Sequence, residues 1–184
     1  MYIKNFKIKN NHIISQANRG MNAEDAINIM NEYYLNYDIA VIYKKPTPVQ
    51  IVTVDYPSRN KAVITEAYYK TPSTTDYNGI YKGYYIDFEV KETHNKVSYP
   101  LVNIKEHQYI HLKRIKEHKG IAFIILKWTY YNEYYLIMID NLIKYFKEKK
   151  SITYLEVKQD NYLIPSNNFN RVDYLKIIDK IINI

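Results

Sequence analysis

The chain has 184 residues with 26 Lys+Arg against 19 Asp+Glu, which gives a formal net charge of +7. This length suits one compact domain, and a hydrophobic fraction of 47% can support a core, which excludes wholesale disorder. The absence of cysteine excludes disulfide scaffolds, thiol nucleophiles and cysteine-ligated metal centres. The excess of basic over acidic residues is compatible with an anionic partner, and nucleic acid is the first candidate.

Neither a secretory signal nor a membrane span is predicted. The N-terminal residues mix lysines with apolar residues, and the longest apolar run, Ile121 to Leu126, is far short of the roughly 20 residues that a span needs. We therefore expect a soluble, cytoplasmic protein. We interpret the 22 tyrosines mainly as genome composition, because tyrosine has A/T-rich codons.

The first predicted elements are a helix and a strand. Residues 1–20 carry four basic and no acidic side chains, which fits a frayed terminus better than a DNA-binding arm. Asn22 can cap a helix that extends to Tyr37, because acidic residues occupy its first turn and apolar residues recur at spacings of three and four. The run from Ile39 to Tyr43 predicts a buried strand.

A β-hairpin follows, with proline on both flanks. Val49–Tyr56 and Lys61–Tyr69 are rich in β-branched and aromatic residues, and the turn-forming stretch 57–60 separates them. Pro46 and Pro72 suggest an arm that leaves and re-enters the body, although an ordinary sheet hairpin is an equal alternative.

The remaining elements predict an α+β fold, with a mixed sheet flanked by helices in one domain. A strand pair is expected to turn near Asn78-Gly79 or Gly83, Gly120 to end a helix, and Asp140 to cap another. The predicted elements are strands Thr74–Tyr81 and Tyr84–Glu92, a helix Val102–Lys119, strands Ile121–Trp128 and Glu133–Ile139, a helix 140–150, and an amphipathic helix Val172–Ile182.

The strand Tyr84–Glu92 carries the residues most suited to chemistry. Its alternation places Asp87, Glu89 and Lys91 on one face, and Asp76 on the preceding strand can approach Glu89. Two carboxylates can hold Mg²⁺ with open positions for water and a phosphate oxygen, while a lysine orients the water. Glu-x-Lys alone fits a simple ion pair on an exposed strand better, but its clustering with Asp76 favours a nuclease.

Acid followed by Glu-x-Lys on a hairpin resembles the PD-(D/E)XK nuclease superfamily, whose restriction-endonuclease-like fold is α/β/α. A wider set of blocks resembles the RecU-type Holliday junction resolvases, over about residues 17 to 128. The blocks are Asn18-Arg-Gly20, Lys45-Pro-Thr-Pro48, Val54-Asp-Tyr-Pro57, Glu66-Ala-Tyr68, Ser73-Thr-Thr-Asp-Tyr-Asn-Gly79, Asp87-Phe-Glu-x-Lys-Glu-Thr93 and His107-Gln108.

The resemblance implies roles at the active site. Asp76 and Glu89 would bind the metal, Mg²⁺ with Mn²⁺ as a substitute, and Lys91 would position the attacking water. Thr74, the carbonyl of Val90, Gln108 and Glu24 would be further metal ligands, although a first-turn acid such as Glu24 more commonly stabilises the helix dipole. Asp87 is expected to form hydrogen bonds rather than to bind the metal.

The resemblance also implies DNA contacts and partners. Residues 44–72 would form a stalk inserted in a single nuclease domain of residues 1–184 and projecting into the junction centre. Arg19, Lys44 and Arg59 would contact DNA, and Tyr68 and Tyr69 would stack on bases. The implied partners are a four-way DNA junction, a second copy of the chain, and a recombinase or branch-migration helicase.

Two alternatives remain open at this point. Another nuclease of the superfamily could act on duplex or flap DNA, and a non-catalytic protein could bind DNA through its basic surface and aromatic rings alone. His107 and His111 lie four residues apart on the predicted helix, where a solvated face is favoured over a metal site.

Overall fold

The computed structural model describes residues 22–58, 61–70, 73–166 and 171–182. The strands are β1 (Val41–Lys44), β2 (Val49–Ser58), β3 (Lys61–Tyr69), β4 (Tyr77–Tyr81), β5 (Tyr84–Thr93), β6 (Ser98–Pro100), β7 (Ile121–Trp128), β8 (Glu133–Met138), β9 (Ser151–Thr153) and β10 (Tyr162–Leu163). The helices are α1 (Ala23–Asn36), α2 (Glu106–Glu117), α3 (Ile139–Glu148), α4 (Tyr154–Asp160) and α5 (Leu175–Ile182), with a 3₁₀ turn at Leu101–Asn103.

A mixed sheet of six strands forms the centre of the fold, in the order β1-β4-β5-β7-β8-β10. The pair β5 and β7 is parallel, and every other pair of neighbours is antiparallel. A parallel pair needs a crossover, which residues 94–120 with α2 supply. The predicted α+β class, with a mixed sheet between helices, is confirmed.

Each face of this sheet has its own core. Alternate residues of β5 and β7, such as Phe88 and Phe123, pack with α1 and α5 on one face, and Ala122 and Ile124 pack with α2, α3 and α4 on the other. The rings of Tyr77, Phe88 and Phe123 stack across three neighbouring strands, with centroids 4.9 and 4.8 Å apart. Side chains on β5 that alternate with Phe88 therefore face the α2 layer.

Several predictions made from local sequence signals are confirmed. Asn22 caps α1, and its side chain accepts a hydrogen bond from the backbone N–H of Asp25 at 2.8 Å. The hairpin of β2 and β3 forms, and β4 turns into β5 at Lys82-Gly83, where both residues have positive φ as a tight hairpin turn requires. Gly79 instead lies inside β4, where an added Cβ would come within 2.1 Å of the Val41 carbonyl oxygen.

Other expectations are wrong in detail. The strand predicted as buried is the edge strand β1, of which only Ile42 is buried, since it is the β1 side chain that packs in the core with α1. Met138, not Asp140, is the N-cap of α3, and the left-handed residue after α2 is Lys119 rather than Gly120. The last helix begins at Leu175, and α4 and the short strands β6, β9 and β10 were not predicted.

Strands β2 and β3 form a separate two-stranded sheet, here called the hairpin ribbon (Val49–Tyr69). All its described residues are exposed except Val54, which is half-buried, and none belongs to either core. Register shifts near Thr53 and Val54 mark bulges, which increase the twist of the ribbon. The flanking prolines left an arm and an ordinary sheet hairpin open, and neither described strand of the ribbon pairs with the six-stranded sheet.

Many of the tyrosines are structural. Those buried in the two cores are Tyr34, Tyr77, Tyr81, Tyr99, Tyr134, Tyr135, Tyr145, Tyr154 and Tyr174. Most of their hydroxyls reach a polar partner, as in the bond from Tyr34 to Asp173 at 2.8 Å, which allows a ring with a polar end to be buried. None of the helices in the described part of the chain is long and apolar enough to cross a membrane.

Candidate active site

Asp76 and Glu89 meet where β4 begins opposite the middle of β5. Tyr77 pairs with Phe88, so one further step of this antiparallel register brings Asp76 opposite Glu89. The backbone N–H of Asp76 donates to Glu89 Oε2 at 3.1 Å. The two carboxylates predicted to act together are therefore adjacent, on the sheet face that α2 covers.

The environment of Glu89 raises the pKa of its carboxyl group. The residue is 1% exposed, and this burial raises its pKa from 4.5 to about 7, while Lys91 opposes the shift and Asp76 adds to it. A bound cation would favour the ionised form that burial disfavours. A metal ion held by this carboxylate would therefore compete with a proton near neutral pH.

Lys91 lies beside Glu89, as the alternation of β5 predicts. Its Nζ donates to Glu89 Oε1 at 2.8 Å, and its side chain is 22% exposed. The ammonium group therefore contacts the buried carboxylate and also reaches the surface, where a phosphate or a water molecule can approach it.

Three more of the predicted metal ligands supply neutral oxygen atoms. The Thr74 hydroxyl donates to the Thr75 carbonyl at 3.2 Å, and Val90 follows Glu89 directly on β5. Gln108 is buried in the first turn of α2, and its side-chain oxygen accepts a hydrogen bond from the Lys105 N–H at 3.0 Å. The amide oxygen thereby caps the helix with one lone pair and retains a second one.

Glu24 and Lys44 form an ion pair near Asp76. Glu24 is in the first turn of α1, and Lys44 ends β1. The hydrogen bond to Glu24 raises the pKa of the Lys44 ammonium group, and the charge of Asp76 adds to this effect. Lys44, predicted to contact DNA, is thus paired with Glu24 and also interacts electrostatically with Asp76.

The structure adds residues that the sequence did not reveal as partners. Asp87 is 0% exposed and accepts hydrogen bonds, as expected, from Lys45 and Tyr85 at 2.9 Å and from the Thr75 hydroxyl. His111 Nε2 lies 3.0 Å from the same carboxylate, so the prediction of a solvated face is wrong for His111. A signal did exist, because His111 follows Gln108 by three residues and shares its helix face.

The donor set fits a hard divalent cation. Asp76 and Glu89 supply carboxylates, and the other candidate ligands supply amide, hydroxyl and carbonyl oxygen atoms, which are the donors that Mg²⁺ and Mn²⁺ accept. Within the described ranges, three or more His, Cys, Asp or Glu side chains nowhere gather as a metal-binding group. A cation here would therefore depend on two carboxylates, neutral oxygen donors and water.

Comparison with known proteins places this site in a family. The model of the family described as Recombination protein U matches residues 18–180. The chain belongs to the Recombination protein U family. The matched range contains every candidate active-site residue, from Glu24 to Gln108.

Relatives in the Recombination protein U family are similar over nearly their whole length. The Holliday junction resolvase RecU of Oceanobacillus iheyensis is 50% identical over 95% of this chain and 95% of its own. Those of Bacillus cytotoxicus and Staphylococcus carnosus are 50% and 52% identical, over 90% and 92% of this chain and 85% and 84% of their own. A solved structure, Hjc of Archaeoglobus fulgidus, a Holliday junction resolvase from an archaeal hyperthermophile, aligns with 73% of this chain and 94% of its own, at 12% identity and a TM-score of 0.43.

Of the DNA-contact residues predicted from the Recombination protein U resemblance, Lys44 lies near Asp76, and the two tyrosines lie on the hairpin ribbon. Tyr68 and Tyr69 end β3 on the ribbon, and Tyr69 is 84% exposed. The Tyr68 hydroxyl donates to Glu66 at 2.5 Å, and this bond raises the pKa of the phenol. Arg19 and Arg59 lie outside the described residues.

Proposed function

We propose that the chain is a divalent-metal-dependent endonuclease that resolves Holliday junctions by paired, symmetric nicks in DNA recombination and repair. The observation that carries the proposal is the contact of Asp76 with Glu89 and of Glu89 with Lys91. This arrangement occurs in a chain whose relatives are named Holliday junction resolvases. Residues 1–184 would form one nuclease domain, with 44–72 as its inserted stalk.

Each residue of the site has a chemical task in this proposal. Asp76 and Glu89 would hold Mg²⁺, or Mn²⁺ in its place, together with oxygens of Thr74, Val90, Gln108 and Glu24. The cation supplies charge stabilisation and an activated water for phosphodiester hydrolysis. Lys91 would orient that water and neutralise charge on the phosphate, since its ammonium group already contacts Glu89 and reaches the surface.

The symmetry of the proposed substrate leads us to expect a homodimer. A four-way junction is nearly two-fold symmetric, and a C₂ dimer presents two identical sites for opposed strands. The hairpin ribbon supports this part of the proposal, because an isolated two-stranded sheet is marginally stable in water. Apolar side chains such as Ile51, Val63 and Ile64 are exposed on the ribbon and available to a second copy.

The ribbon would enter the junction centre. Arg59 at its turn, Lys44 at its base and Arg19 would contact phosphates, while Tyr68 and Tyr69 would stack on exposed bases. The exposed ring of Tyr69 supports this assignment. A recombinase or branch-migration helicase as a further partner, and a location in the cytoplasm, complete the proposal.

The proposal is tested with labelled four-way, duplex and flap DNA, with and without Mg²⁺, for the wild type and Glu89→Gln. We expect wild-type protein with Mg²⁺ to nick the junction symmetrically, and Glu89→Gln to cut about 10³-fold more slowly, because it loses a carboxylate that holds the cation. Junction binding, measured in Ca²⁺, should change little, since Glu89 is buried.

The other outcomes would contradict this function. Equal cutting of linear duplex would identify a nuclease that does not select junctions, and binding without any cutting would identify a non-catalytic DNA-binding protein. Glu106→Gln is the matched control, because this exposed acid begins α2 outside the carboxylate pair, and it should cut as the wild type does.

A further inference from the structure

A second buried carboxylate lies two residues before Glu89. Asp87 is on β5, on the same face as Glu89, and is 0% exposed. A buried charge is costly unless other groups pair with it. A carboxylate at this position therefore needs hydrogen-bond donors or cations beside it. The residues that supply them show which parts of the chain Asp87 connects.

Four groups from separate parts of the chain contact Asp87. Lys45 Nζ and the Tyr85 hydroxyl lie 2.9 Å from Oδ2, and His111 Nε2 lies 3.0 Å from it. The Thr75 hydroxyl donates to Oδ1. Tyr85 is on the same strand and His111 is on α2, whereas the other two partners belong to the chain segments next to the hairpin ribbon.

These two segments, residues 45–48 before the ribbon and 73–76 after it, are the base of the ribbon. Lys45 and Thr75 also bond to each other, because Lys45 Nζ donates to the Thr75 hydroxyl at 3.1 Å. The backbone N–H of Lys45 donates to the Asp76 carbonyl at 2.7 Å. One carboxylate thus ties both sides of the base to the strand that carries Glu89.

We propose that Asp87 is a positioning residue, which fixes the base of the hairpin ribbon to the active strand and thereby sets the place at which a junction is cut. The inference rests on the proposed function. If the ribbon lies in the junction centre, the distance from that centre to Glu89 is fixed only when the base of the ribbon cannot shift. The Lys45–Asp87–Thr75 contacts supply this rigidity, since the described ribbon residues belong to neither core.

The test maps nicks to the nucleotide on a four-way junction labelled in each strand, for Asp87→Asn, Lys45→Met and the double variant. We expect each variant to scatter its nicks over more positions than the wild type and to cut up to about 100-fold more slowly, because a small misplacement of reacting groups has effects of that size. The affinity of Asp87→Asn for the junction, measured in Ca²⁺, should stay within about threefold of the wild-type value, because the substitution removes no cationic side chain that could contact phosphate.

The double variant distinguishes positioning from a merely structural role. It removes both charges of the buried pair, so it avoids the penalty of leaving one charge without its partner. If Asp87 only stabilises the fold, the double variant recovers wild-type nick positions, and that result overturns the proposal. Scattered nicks from a double variant with wild-type circular dichroism support it.

Tyr85→Phe is the matched control, because it removes one hydrogen bond from Asp87 and leaves the base contacts intact. It should retain the wild-type nick positions. An unchanged set of positions in folded Asp87→Asn also overturns the inference. If the wild type itself leaves the junction uncut, the proposed function fails instead, before nick positions are compared.

Discussion

At the scale of single residues, burial of one carboxylate connects function to stability. Glu89 lies on the sheet face that α2 covers, and it accepts hydrogen bonds from the Lys91 ammonium group and from the backbone N–H of Asp76. Its pKa of about 7 lies above the ordinary value of 4.5. The folded chain therefore binds this proton more tightly than the unfolded chain does, and a metal ion must displace the proton at neutral pH.

This shift predicts a pH-dependent stability of the metal-free protein. The free energy of unfolding should fall as pH rises from about 4.5 to about 7, by up to about 3 kcal/mol for this one group. The glutamine side chain of Glu89→Gln cannot ionise. The variant should therefore have no greater free energy of unfolding than the wild type near pH 4.5, and its full gain in free energy of unfolding above about pH 7. Urea unfolding in the presence of EDTA measures the difference.

Added Mg²⁺ should reduce the advantage of Glu89→Gln, because the cation stabilises only the folded wild type. Glu106→Gln, at an exposed position, serves as the control and should show no such pH dependence. A difference between Glu89→Gln and the wild type that stays constant with pH would contradict a raised pKa for Glu89.

At the scale of elements, the hairpin ribbon and the six-stranded sheet have separate roles. The sheet buries side chains on both faces, whereas the described residues of the ribbon contribute to neither core. Its length and exposed tyrosines therefore need an explanation other than stability of the body, and recognition of a junction is such an explanation.

Shortening the ribbon should separate folding from function. Replacement of residues 52–66 by Asn-Gly keeps the paired base, Ile51 with Ala67, and removes the tip that contains Arg59. The thermal midpoint should change by only a few degrees, about 2–4 °C or less, because none of the described residues removed belongs to either core. Junction resolution should be lost, as a gel assay with labelled junctions will show. Normal resolution by the shortened protein would exclude the stalk assignment.

At the scale of the whole molecule, the proposed function requires two cuts in one nearly symmetric junction. Each chain contains one Asp76–Glu89 pair among its described residues. Matched nicks in opposed strands therefore need two chains or two successive visits by one chain. The exposed apolar side chains of the ribbon favour two chains acting together.

Mixed dimers test this arrangement. Wild-type and Glu89→Gln chains that carry different tags can be co-expressed and the mixed species purified through both tags. We expect the mixed dimer to nick one strand and to release junctions with a single cut, whereas a doubly tagged wild-type dimer releases linear duplexes. Release of duplexes by the mixed species at the wild-type rate would show that one site makes both cuts.

Much of the fold is determined by local signals, which the sequence shows directly. Asn22 and the acids after it begin α1, alternation puts Glu89 and Lys91 on one face of β5, and Ser58 pairs with Lys61 on either side of the predicted turn. The approach of Asp76 to Glu89 was predicted from the alternation of β5, but the sequence left two positions for the turn, and the structure shows that the turn at Gly83 fixes the register that pairs them.

Only the tertiary structure decided which residues surround Asp87 and which side of β1 is covered. Lys45 is 42 residues from Asp87 and His111 is 24, so no local pattern connects them. Likewise, the apolar residues of β1 predict a buried strand, yet β1 lies at a sheet edge and only its Ile42 side chain is buried. Local sequence sets periodicity and caps, whereas burial and the partners of a buried charge depend on how distant elements pack.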